Sequence, residues 1–347
     1  MKKIIIIIAI AVITFLSQTQ FGSICYAKTI TLSNSTGDIA MYNNLQTAIN
    51  SADAGDLIYI FPSPTNYGSI TINKKLTLIG AGYYSKISSI TNINFDANSS
   101  NSQLYGLNIT GNCTLSSGTD SNYVINRCLI YGTLTLKGEN VIINNCLFQT
   151  YQHGTGIIIN NAENIIISNN IFNTQLSSAG YQISTSNKYS VLIENNIFLA
   201  SSASQIMFSS VANAEINNNI FYKVKPLGLS NCSVNNNIVF NGTDALPYGD
   251  NSGENNINAK DPEFVDMQGL TYFTFTGDYH LKDSSPGKNA GLDSTDIGIY
   301  GSAEFWPEDT GYTGKPPLPI INKMNVLNKV VGEDSKVRVK VQAIKAK

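Results

Sequence analysis

The fold is decided by one phrase that returns six times between residues 125 and 240: INRCLI (125–130), INNCLF (143–148), ISNNIF (167–172), IENNIF (193–198), INNNIF (216–221) and VNNNIVF (234–240). Aligned on the fourth residue, the copies place Cys128, Cys146, Asn170, Asn196, Asn219 and Asn237 in one column. Three residues earlier stand Ile125, Ile143, Ile167, Ile193, Ile216 and Val234, and two later stand Ile130, Phe148, Phe172, Phe198, Phe221 and Val239. The intervals are 18, 24, 26, 23 and 18 residues, so insertions fall between phrases and the phrase keeps its length. A looser column of alternating pairs lies between copies: Leu134/Leu136, Ile157/Ile159, Tyr181/Ile183, Ile206/Phe208 and Leu227/Leu229. Each period therefore holds about three short strands.

A unit this small cannot bury its own apolar face, and stacking equivalent units is the physical solution that such periods report. Strand-rich units stack as coils about 4.8 Å apart. Equivalent side chains then form ladders up the interior. An inward Asn ladder is intelligible on that geometry, because each amide offers donors and an acceptor to the next rung and to the bent backbone beside it.

The pattern resembles the right-handed parallel β-helix of the pectin-lyase-like proteins. The fold class expected is all-β, a single-stranded right-handed parallel solenoid. The phrases AINSADAGDLIYIF (48–61) and ITINKKLTLIGAGY (70–83) are similar to the opening of many such chains, where a short helix lids the open end of the core. Here Asn43 and Asn44 precede Leu45, Ala48, Ile49 and Ala52, spaced as one helix face, with Gly55 placed to end the helix. At the other end, DPEFVD (261–266) and the DYHL, SPG and DIG elements within 277–301 resemble the closing module of exported bacterial β-helix proteins, and imply a second lid. His280, alternating with Tyr279 and Leu281, is read as structural.

The remaining segments set the boundaries. Lys2 and Lys3 precede the apolar run Ile4 to Leu16, and Cys25-Tyr26-Ala27 offers a cleavage site, so 1–27 reads as a secretory signal with Lys28 as the mature start. A membrane anchor competes with this reading, but the run is shorter than the ~20 residues a span needs. Residues 28–301 form the capped β-helix, 302–319 a Pro- and Gly-rich linker, and 320–347 a strand-forming tail in which Val337, Val339 and Val341 alternate with polar residues. Secretion or display at the cell surface follows. Net charge is −2, no basic face points to nucleic acid, and nothing beyond the leader points to a membrane span. A monomer is expected. Of the four cysteines left after cleavage, Cys128 and Cys146 occupy ladder positions, while Cys113 and Cys232 occupy apolar columns, so all four read as buried thiols; a Cys128–Cys146 bridge is the competing reading.

Members of the resembled family include lyases and hydrolases that bind polysaccharide along the outer face of one sheet. The resemblance places that face on the looser column, whose outward residues by alternation are Thr114, Thr135, Ile158, Gln182, Met207 and Gly228. None is ionisable. The flanking loops add Tyr151, Gln152, His153, Lys188 and Tyr189, and the substrate-binding candidates are Tyr151, His153, Gln182, Lys188 and Tyr189. Their competing reading is ordinary loop residues. Two acid pairs stand out, Glu139 with Glu163 and Glu194 with Glu215, on adjacent coils; Ca²⁺ is the ligand they could take, but neither brings the further oxygens such a site requires. No cofactor is therefore expected. Two functions stay open. One is an exported β-helix that binds polysaccharide without lyase chemistry. The other is a polysaccharide lyase or glycoside hydrolase with loop-borne catalytic residues.

Overall fold

The structure, a computed structural model, describes residues 27–82, 87–116, 120–150, 154–174, 180–186, 190–201, 205–240, 244–303, 306, 320–326 and 339–344. Each turn of chain runs through three short parallel strands in three sheets. Sheet A has ten strands, from Thr29–Leu32 to Ser233–Asn235; sheet B has seven, from Ile70–Ile72 to Phe208–Ser209; sheet C has nine, from Ser89–Ile90 to Ile257–Asn258. The chain passes from B to A to C, then climbs one coil. The protein is a right-handed parallel β-helix.

The repeated phrase spans the corner from sheet A to sheet C. Its first aliphatic points inward at the end of sheet A, and all six ladder residues are buried. In each rung from Asn196 upward, the side-chain oxygen accepts from both the backbone N–H and the amide of the rung below. Asn170 donates to Asn196 Oδ1 at 2.8 and 3.0 Å, and Asn196 donates to Asn219 Oδ1 at 3.0 and 3.0 Å. Each amide nitrogen also reaches a carbonyl one coil below, as from Asn196 to Ile167 at 2.9 Å. The ladder runs one rung past the six phrases, to Asn256. At the lower end the thiols take the same place: Cys128 N–H donates to Cys146 Sγ at 3.4 Å, and Cys146 N–H to Asn170 Oδ1 at 2.9 Å.

The residue before each rung has a role that column reading missed. Arg127, Asn145, Asn169, Asn195, Asn218, Asn236 and Asn255 all have φ between 53° and 58°. This left-handed region is costly for most side chains and least so for Gly and Asn, which explains the Asn-Asn pair in most phrases. One residue bends the chain and the next ties the bend to its neighbours.

Two residues past each rung the side chain turns inward again. Phe148, Phe172, Phe198 and Phe221 stack face to face with centroids 4.7, 4.7 and 4.9 Å apart. Coil spacing dictates that geometry, since an isolated aromatic pair prefers an offset or edge contact. Phe208, from sheet B, supplies the edge contacts at 5.6 and 5.8 Å.

Helix α1 (Leu45–Ser51) closes the lower end of the core. Asn44 caps it by accepting from Thr47 N–H at 2.9 Å, and Leu45, Ala48 and Ile49 face the interior. Its side chains also satisfy the open edge of sheet B. Gln46 accepts from Thr71 N–H at 2.8 Å and donates to Thr71 O at 3.1 Å, supplying the bonds a missing strand would have made. The helix ends at Ser51, earlier than expected, with Ala52 as its cap; Gly55, at φ +99°, makes the later turn into Leu57–Ile60. At the upper end, Leu246 and Tyr248 pack onto the same core.

The segment expected to lid that upper end lies elsewhere. Phe264–Asp266 and Asp278–Leu281 pair antiparallel, and this module packs along the outside of sheet C. Its Phe264, Phe273, Tyr279, Leu281, Ile297, Ile299 and Trp306 form a second core with Leu129, Leu147, Ile171, Ile197, Ile220 and Ile238, the residues following each rung. The contacts run back down the solenoid. Asn236 donates to Ala290 O at 2.8 Å, Asn218 Oδ1 accepts from Leu292 N–H at 3.0 Å, and Asn169 donates to Ser302 Oγ at 2.7 Å. Ser302 and Trp306, read from composition as linker, are thus held in the body. His280 is held as well, 2.7 Å from Asp278 Oδ1 and stacked on Tyr300 at 3.7 Å. In the tail, Ile320–Val326 pairs antiparallel with Val339–Ile344.

Candidate functional site

With sheet C covered, sheets A and B present the accessible faces. On sheet B, register places Thr71, Asn94, Thr114, Thr135, Ile158, Ser184 and Ser209 in the outward column. Thr114, Thr135 and Ile158 stand where alternation put them. The other three do not. Gln182 is fully buried, still in the corner before the strand that begins at Ile183, and its amide donates to Thr150 Oγ1 at 3.0 Å and to Thr174 Oγ1 at 2.5 Å. It is a strut between sheet C strand ends, so its candidacy as a surface ligand falls. Met207 is also buried. Gly228 has φ +96°, and a Cβ there would lie 2.1 Å from Phe208 O. All three stand one residue before a strand begins, at Ile183, Phe208 and Leu229, so they lie in the corner and not on the sheet face, although Gln182 and Met207 share the parity of the outward Ser184 and Ser209. Tyr151, His153, Lys188 and Tyr189 lie outside the described residues.

Sheet A carries the richer surface. The corner entering it holds a second column in the left-handed region: Asn101, Asn122, Asn140 and Asn164, at φ 63°, 63°, 54° and 55°. These amides are on the outside. Asn122 donates to Asn101 Oδ1 at 3.3 Å, and Asn164 to Asn140 Oδ1 at 3.1 Å. Two residues on, register aligns Thr77, Gln103, Val124, Ile142, Ile166 and Leu192 along the face. Two further on come Tyr59, Ile79 and Tyr105. A shallow groove of about 400 Å³ runs along the first two columns, from Lys75 to Ile166. Tyr105 borders it, bonded to Gln103 Oε1 at 3.2 Å. Burial pushes the Tyr105 phenol above its ordinary pKa, with the charge of Arg127 opposing.

The acid pairs keep the relation read from sequence. Asn140 N–H bonds Glu163 O, which sets Glu139 and Glu163 on adjacent coils, both exposed. Glu215 pairs with Leu192, so it is offset by two residues from Glu194. Burial, then Asp293 of the packed module, then Glu215 push the Glu194 carboxyl above the usual range. Among the described residues, no group of three or more His, Cys, Asp or Glu is placed to hold a metal ion.

Residues 132–285 match the family described as right handed beta helix region. That span covers the upper coils and runs into the packed module. No curated protein matches the chain.

Proposed function

We propose that this is an exported β-helix protein of the pectin-lyase-like kind that binds polysaccharide and carries no lyase chemistry. What supports binding is the sheet A groove, in which planar amides repeat at coil spacing beside an aliphatic floor. Sugars present alternating hydroxyl edges and C–H faces, and amides and aliphatic carbons match those two surfaces. The absence of lyase chemistry rests on charge. Abstracting a proton next to a uronate carboxylate needs a strong base and a cation or positive cluster to hold that carboxylate. The outward column of sheet B is made of Thr, Asn, Ile and Ser, and the groove on sheet A has a single charged lining residue, Lys75. Export rests on the leader-like residues 1–27.

A panel of acidic and neutral polysaccharides tests both parts. Binding to at least one is expected, with no unsaturated product from polygalacturonate, followed by ultraviolet absorbance, with or without Ca²⁺. Steady Ca²⁺-dependent product would overturn the chemical half. Failure to bind any polysaccharide would overturn the other.

A further inference from the structure

Resting on the reading of a glycan-binding protein, we infer that the sheet A groove takes a neutral, unbranched pyranose chain lying along the solenoid axis. Direction follows from the columns. Equivalent groups repeat up the axis at about 4.8 Å, so a linear polymer laid that way meets the same pair of columns at every step. From Thr77 to Ile166 the face crosses five strands, a length of about 19 Å, or roughly four sugar residues in an extended chain. Across the axis the same path offers two chemistries. Val124, Ile142 and Ile166 give a floor for C–H faces, and Ile142 is 39% exposed. Asn140 and Asn164 give the rim. Their mutual hydrogen bond uses one donor group and one acceptor, which leaves the Asn140 amide NH₂ and the Asn164 oxygen for ring hydroxyls.

Neutrality follows from the charges around the path. Glu139 and Glu163 immediately precede the two rim amides and are exposed. Glu194 and Glu215 continue the same outer face beyond Ile166. Against these four carboxylates stand Lys75 at the far end of the groove, Lys137, and Arg127, whose charge reaches Tyr105 at the groove's border. A polyuronate would bring a carboxylate with every residue into a field of like sign, whereas a neutral chain meets no such penalty.

The experiment measures affinity by calorimetry for neutral gluco-, manno-, galacto- and xylo-oligosaccharides of two to six residues, and for oligogalacturonates of the same lengths. Affinity for one neutral series should rise with length and level off near four residues, with oligogalacturonates at least tenfold weaker. Asn140→Gly with Asn164→Gly keeps the left-handed backbone and removes the amides, and should weaken binding about tenfold. Ile142→Asp should do the same, while Thr135→Ala on sheet B should leave affinity unchanged. Charge reversal by Glu139→Lys with Glu163→Lys should narrow the gap between neutral and acidic chains. Tighter binding of oligogalacturonates, or glycan binding indifferent to the groove substitutions, would overturn this inference and leave the broader function standing. Binding of no glycan by the unaltered protein would overturn both.

Discussion

Asn219 Oδ1 accepts two hydrogen bonds from Asn196, one from the backbone N–H at 3.0 Å and one from the side-chain amide at 3.0 Å, inside a fully buried corner. One oxygen thereby ties a coil to the bend below it. The same relation repeats up the ladder, so each rung is both support and load for its neighbours.

Replacing Asn196 by Leu removes an acceptor from Asn170 N–H and Nδ2 and a donor from Ile167 O and Glu194 O. Each buried group left unsatisfied costs on the order of 1–3 kcal/mol. The variant should lose several kcal/mol by chemical denaturation, or fail to accumulate as folded protein. Asn43→Leu, at an exposed position before α1, should stay within about 0.5 kcal/mol of the parent. Equal midpoints for the two would refute the ladder's role.

The outer face of sheet C gives a second contrast. Ile197 points away from the solenoid interior yet is fully buried beneath the C-terminal module, while Thr135 points outward on sheet B and is partly open to water. Ile197→Asp should cost several kcal/mol because an unpaired carboxylate would sit in an apolar interface. Thr135→Asp should be nearly neutral. A module that did not dock would make both substitutions mild, which thermal melts would reveal.

Glu194 supplies a pH dependence. Its carboxyl is raised in the folded state by burial, by Asp293 and by Glu215. The folded protein therefore holds that proton more tightly than the unfolded chain, and this group lowers stability as pH rises from the ordinary Glu range through the raised folded value. Glu194→Gln should melt higher than the parent at neutral pH. The gap should close as pH falls below the ordinary Glu range. A gap that widened on acidification would mean that the shift has the opposite sign.

All four described cysteines are free and buried. Burial pushes the Cys113, Cys146 and Cys232 thiols up, keeping them away from the reactive thiolate. Native protein cleaved after Ala27 should react slowly with a thiol reagent and release four thiols on denaturation without reductant. Recovery of two would establish a bridge.

The sequence by itself determined the interior. Ile, Asn and Phe return in fixed register because a stacked coil admits one side chain per column, and a rung that failed to bond its neighbours would be penalised wherever it occurred. A covered outer face was also written there, in the aliphatic Leu129, Leu147, Ile171, Ile197, Ile220 and Ile238; strands buried on both sides read as continuous apolar pairs, and that signal marks a docking surface. What covers it was a matter for tertiary structure. Phe273 N–H meets Asn173 Oδ1 across 100 residues of chain, and Ser302 meets Asn169 across 133, contacts with no local signature. Tertiary structure also decided the burial of Gln182, because alternation does not mark where the corner ends and the strand begins, at Ile183. Repetition makes the inside of a solenoid legible, whereas its outer surface depends on where a single long return of the chain comes to rest.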